Sequence, residues 1–390
     1  MNGWLAFVVL LGPPIHPARS CSNPADFATH PPQELRRALN GAYDPETLRV
    51  FHGIPGQRTV CPPNQVSSST PCAIHLVYKP ASGQEVRDPL VVFLPGTGME
   101  AERHNQVLQT AAYAGYRTIG LSYDNVGTME SFCQAEGDCA DCYGEARDEI
   151  ITGNDTRPNV TIVERSDSIV ERLHNLLDAL EADDLADGVD DDQWGDFYEP
   201  FAVLTPPPNS VAIHTLGSIN WDRIILAGFS QGAGHAARIA QKAQVHGLII
   251  LDGGNDTCGV DQPASWYADD NASLGRPRYG VTHRRGVANW SVPATWLALG
   301  FPAGFHDFED NVISLEPAAV GITAQRIFPP PPNPPETPNT PCNAHYSMAK
   351  DGCMPTAPTG GDVAATADDA YLFARYLTRF CYACDPLTCP

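Results

Sequence analysis

Ile224-Ile225-Leu226-Ala227-Gly228-Phe229-Ser230-Gln231-Gly232-Ala233-Gly234-His235 is the stretch that decides the fold. The strand candidate that opens it, Arg223 to Ala227, is short and apolar after its first residue, as a strand covered on both faces is. Past the serine the composition turns alanine-rich, and His235 to Gln241 reads as a helix. A serine between a strand and a helix, with a glycine two residues before it and two after, is a nucleophile elbow. Gly228 and Gly232 are needed because a β-carbon there would clash with the adjoining strand and helix. The turn lifts Ser230 Oγ clear of the sheet and leaves it at a helix start, where N–H groups and the helix dipole favour negative charge. The pentapeptide alone is a weak signal; the strand before it and the helix after it make it specific.

Working outward, Leu90-Val91-Val92-Phe93-Leu94 is a second apolar strand, and it ends in the turn Pro95-Gly96-Thr97-Gly98. Asn105 to Gly115 reads as a helix, Tyr116 to Tyr123 as a strand, and Ile162 to Ala182 as a long amphipathic helix. His246 to Asp252 is a nearly all-apolar strand in which Asp252 reads as the closing turn residue, and Arg278 to Arg284 is the next strand. Phe305 to Phe308 and Arg326 to Phe328 are weaker strand candidates. Ala364 to Phe380 is a final helix with Leu372, Phe373, Tyr376 and Leu377 on one face. Strands alternating with helices predict an α/β fold, with a mainly parallel central sheet and helices on both faces.

With these elements the chain resembles the α/β-hydrolase superfamily over roughly Cys72 to Phe380, and its elbow is similar to those of carboxylesterases, acyl-protein thioesterases and cutinases. The resemblance implies an oxyanion hole formed by the backbone N–H groups of Thr97 and Gln231, each typically worth about 10²–10³ in rate. It also implies the chain order serine, acid, histidine. His345, in a loop bracketed by Cys342 and Cys353, occupies the histidine's place, and a neutral imidazole there can take the serine proton and return it to the leaving group. His235 and His246 read as packing or capping residues, while His283 and His306 precede or coincide with the acid's place. The usual position for the acid, after the strand at 278–284, has no carboxylate between Arg285 and Trp290. Asp256, following the preceding strand, ranks first as the substitute, with Asp307 and Asp310 as alternatives.

Met1 to Leu11 is an apolar run too short to span a bilayer, and Ala18-Arg19-Ser20 offers small residues for cleavage before Cys21, so residues 1–20 read as a signal peptide. Residues 21–390 are expected to form one domain. All twelve cysteines follow that cleavage point, and an oxidising compartment makes disulfides the default. Two C-x-x-C pairs, Cys139/Cys142 and Cys381/Cys384, lack histidines at ligand spacing, so neither metal nor cofactor is expected. Sequons at Asn154, Asn159, Asn255, Asn271 and Asn289 fit a secreted glycoprotein.

The net charge of −22 disfavours nucleic acid and anionic membranes as partners, and no membrane span is expected. An acidic insert near 183–210, with Trp194, Phe197 and Tyr198, reads as a solvated excursion or a lid. The proline-rich loop 329–341 reads as an extended spacer. The expectation is a secreted serine hydrolase that cleaves a small-molecule, lipid or polysaccharide ester through an acyl-Ser230 intermediate. Its rivals are a lipase or peptidase of the same fold and a catalytically inactive binding protein, the last kept open by the missing acid.

Overall fold

The computed structural model describes residues 33–34, 75–80, 86–133, 139–155, 160–186, 193–198, 216–259, 262–281, 292–301, 345 and 349. Among the described residues, seven strands form one sheet: β1 (Gln33–Glu34), β2 (Leu76–Lys79), β3 (Leu90–Leu94), β4 (Thr118–Gly120), β5 (Ile224–Phe229), β6 (Gly247–Leu251) and β7 (Arg278–Val281). Their spatial order is β1-β2-β4-β3-β5-β6-β7. The strands from β4 across to β7 run parallel, and β2 pairs antiparallel with both β1 and β4.

Every residue of β3, β5 and β6 is buried, because helices cover both faces of the sheet. The two-residue strand period sorts these side chains into two cores. Leu90, Val92, Leu94, Ile224, Leu226, Leu248 and Ile250 face one core. There they meet α3 (Cys139–Thr152), α4 (Ile169–Ala186) and α5 (Gln231–Lys242). Val91, Phe93, Ile225, Ala227, Phe229, Ile249 and Leu251 face the other, against α1 (Asn105–Tyr113). Two shorter helices, α2 (Met129–Cys133) and α6 (Val292–Ala298), complete the set, and Trp296 of α6 joins the first core. No helix among the described residues is long and apolar enough to cross a membrane.

The strand order sets where a site can form. From β3 the chain moves to one side to make β4, and it returns on the other side of β3 as β5. The carboxyl ends of β3 and β5 therefore flank a topological switch point, where the connecting loops part and leave a crevice. The turn at 95–98 and Ser230 both lie on that edge.

The β3 boundaries match the sequence reading, the other expected elements among the described residues shift at one or both ends, and β1, β2, α2, α3 and α6 were not expected. The strand expected at 223–227 runs on to Phe229, and the helix expected from His235 starts at Gln231. The helix expected at 162–182 is displaced to Ile169–Ala186, so its last turn lies inside the acidic run. That run is less solvated than its charge suggests, since Trp194 and Phe197 are 1% and 0% exposed and pack into the first core. The candidates at 305–308, 326–328 and 364–380, the loop at 329–341, Asp307 and Asp310 lie outside the described residues.

The cysteines of the first C-x-x-C pair go to different partners. Cys142 bonds Cys133, nine residues away, and Cys139 bonds Cys258, at a separation of 119. The second disulfide ties the start of α3 to the loop that follows β6. Closing a long loop removes more entropy from the unfolded chain, so Cys139→Ser/Cys258→Ser should destabilise by about 2–5 kcal/mol. Cys133→Ser/Cys142→Ser should cost less, as urea denaturation of the two variants would show. Equal costs would count against loop entropy as the source.

Candidate active site

Ser230 sits between β5 and α5 with φ 54° and ψ −119°, a left-handed conformation that costs a residue with a β-carbon on the order of 1–3 kcal/mol. Contacts on all sides hold it there. A β-carbon on Gly228 would run into the carbonyl of Gly232, and one on Gly232 into the carbonyl of Leu94 at the end of β3. The Ser230 N–H donates to the Leu251 carbonyl at 3.0 Å, so the elbow is bonded to the last residue of β6. Ser230 itself stays half-buried and within reach of the crevice.

The residue after Leu251 is Asp252, also at positive φ, 44°. Gly253 then packs against Ser230 so closely that a β-carbon would strike the Ser230 carbonyl. Asp252 is thereby presented beside Ser230 with its side chain only 2% exposed. His345 Nδ1 lies 2.6 Å from Asp252 Oδ2. A carboxylate can only accept, so Nδ1 carries the proton and donates it, and in the neutral ring Nε2 holds the lone pair. The imidazole lies against the ring of Phe229, the residue before Ser230, at a centroid distance of 4.6 Å. A second histidine supports that loop. His104 Nδ1 donates to the Ala349 carbonyl at 2.8 Å, and its ring packs between Phe93 and Phe229.

The turn at 95–98 is fixed from below. Asn125 Nδ2 donates to the carbonyls of Gly96, at 2.6 Å, and Met99, at 2.8 Å, and its own carbonyl accepts from Gly98 N–H at 3.0 Å. Tyr123 Oη donates to the Pro95 carbonyl at 2.7 Å. Thr97 Oγ1 donates to Gln231 Oε1, also at 2.7 Å, which joins the two residues named from the sequence as oxyanion donors. The N–H groups of Thr97 and of Gln231, the first residue of α5, donate to no backbone carbonyl among the described residues.

Asp256, named from the sequence as the acid, is not the carboxylate that meets His345. Its Oδ2 and Oδ1 are taken by Arg147 Nε and Nη2, each at 2.6 Å, and Trp266 Nε1 adds a bond of 2.9 Å to Oδ2. A carboxylate with that set of donors beneath α5 cannot also hold the imidazole. Asp252 was read as a turn residue because it directly follows the strand, yet Ser230 directly follows β5 in the same way. The signal available was that equivalence, reinforced by the glycine pair after Asp252. Arg147, Asn125 and His104 were not anticipated, since nothing in their sequence spacing ties them to the elbow.

His235 lies on α5 facing inward, 0% exposed. Tyr123 meets its ring edge-on at 5.3 Å, and its Nδ1 is 3.4 Å from Arg147 Nη1. Burial, and next the Arg147 charge, hold its pKa well below the ordinary histidine value. It is a packed ring, one of the two roles, packing or capping, that the sequence reading gave it.

No protein-family model and no curated protein sequence matches the chain. Among solved structures, it is similar to a bacterial heroin esterase at 12% identity, covering 80% of this chain and 79% of that one with a TM-score of 0.35. A hormone-sensitive lipase from a metagenome library shares 11% identity over 78% of this chain and 82% of its own, with a TM-score of 0.32. The Francisella virulence factor BioJ shares 10% over 78% and 80%, with a TM-score of 0.36.

The buried His235 gives stability a pH dependence. The unfolded chain takes up a proton as pH falls through about 6.5, and the folded protein resists it, so stability is present above that pH and is lost below it. We expect urea midpoints to fall between pH 7 and pH 5, and His235→Asn to flatten that fall by up to one proton. Parallel pH profiles for the two proteins would remove His235 as the cause.

Proposed function

We propose that the chain is a secreted serine hydrolase that cleaves carboxylic esters through an acyl-Ser230 intermediate. The observation that carries this reading is the bond from His345 to the buried Asp252, formed next to a serine held in a strained strand-to-helix elbow. Ser230 Oγ attacks the ester carbonyl carbon while His345 Nε2 accepts its proton, and the Asp252 carboxylate stabilises the imidazolium. The carbonyl oxygen, now carrying the negative charge, is held by the N–H groups of Thr97 and Gln231, at the start of α5 where the dipole adds to them. The tetrahedral adduct collapses, His345 protonates the departing alcohol, and an acyl-serine remains. Water then attacks with His345 as base, which releases the acid and restores Ser230. The sequence leaves an inactive scaffold open on the ground that no acid stands in the usual place, and the contact of Asp252 with His345 supports the active reading instead.

Secretion is part of the same proposal. It is supported by the apolar run from Met1 to Leu11 and by two disulfides between cysteines far inside the chain.

Ser230→Ala should abolish fluorophosphonate labelling and p-nitrophenyl ester hydrolysis while leaving the fold intact, and His345→Ala should do nearly the same. Asp252→Asn should lower kcat by up to about 10⁴ with little change in KM, because the imidazole tautomer is then wrong. Turnover retained in Ser230→Ala would end the acyl-serine mechanism, and a mild Asp252→Asn would move the acid elsewhere.

A further inference from the structure

Arg147, on α3, passes beneath the first turn of α5, so close that a β-carbon on Gly234 would strike its guanidinium carbon. Its fork is fully engaged. Nε and Nη2 hold both oxygens of Asp256 at 2.6 Å, and Nη1 donates to the Gln231 carbonyl at 3.1 Å. Asp256 in turn accepts from Trp266 Nε1 at 2.9 Å, and its N–H donates to Tyr267 Oη at 3.1 Å. The pair is 2% and 5% exposed. Burial draws the arginine's pKa down, and the Asp256 carboxylate outweighs it, leaving the pKa raised. One end of this pair grips the turn that follows Ser230, and the other grips the loop that begins at Asp252.

Stability is a poor reason for such a pair. Two charges lose their hydration here, and apolar residues of similar volume commonly fill buried sites of this kind as well or better. What an apolar filling could not do is bond the Gln231 carbonyl and hold the loop at 252–256 at a set distance from it. We propose that Arg147 and Asp256 are positioning residues, which fix the spacing between the Ser230 elbow and the Asp252 loop without touching the reacting atoms. The inference rests on the ester-hydrolase reading, in which a displacement of about 1 Å is enough to cost on the order of 10²-fold in rate.

The test is the double variant Arg147→Met/Asp256→Leu beside Arg147→Lys, with urea stability, kcat and KM on a p-nitrophenyl ester measured for each. The double variant should keep near-native stability and KM while kcat falls on the order of 10²-fold. Arg147→Lys retains the charge but loses the fork. It should stay folded with kcat down on the order of 10-fold, and it decides the matter if the double variant does not fold. Wild-type kcat in either folded variant overturns the positioning role and leaves ester hydrolysis standing. A wild-type protein that neither turns over esters nor labels with a fluorophosphonate overturns both.

Discussion

The register between β5 and β6 is the constraint on which the rest of the site depends. Phe229 is paired with Leu251, and the next residue on each strand is Ser230 or Asp252. Parallel pairing therefore delivers Ser230 and Asp252 side by side at the same edge, before any side chain has made a contact. The bond from Ser230 N–H to the Leu251 carbonyl continues the ladder by one step and locks the two exits together. A slip of one residue would send the apolar side chains of β5 to the wrong core, so the packing of Ile224 to Phe229 is also what enforces the geometry of the site.

Both exits are strained. Ser230 and Asp252 are two of the three non-glycine residues at positive φ among those described. Each such residue costs on the order of 1–3 kcal/mol and persists only where its surroundings over-determine it. Here they do. Fully buried strands lead in, glycines at 232 and 253 let backbone meet backbone, and the Cys139–Cys258 bond tethers the chain six residues beyond Asp252. Neither glycine is at positive φ; both are required by proximity, because any side chain would push apart the backbones that meet there.

Much of the fold was legible in the sequence because it is local. The apolar runs at 90–94 and 246–252 and the glycine-flanked serine each carry their own signal, and all three reappear as β3, β6 and the elbow. Helix starts were less legible. α5 opens at Gln231 through Gly232 and Gly234, residues of poor helix propensity, so the composition turns helical only from His235. Trp194 and Phe197 were misjudged for a related reason. Their neighbours are carboxylates, and an average over the segment hides the two side chains that anchor it.

The carboxylates at 252 and 256 show where sequence reasoning thins. Asp252 and Asp256 stand four residues apart in one loop, and apart from the place of Asp252 directly after β6 and the glycine pair that follows it, nothing in the sequence ranks them. What separates them is long-range. Asp252 meets His345, 93 residues away, and Asp256 meets Arg147, 109 residues away on α3. Asp256 answers a buried guanidinium that would otherwise be a severe cost beneath α5, and by doing so it leaves Asp252 as the carboxylate at the imidazole. The two roles are set together, by which partner the fold has already placed on each side of the loop.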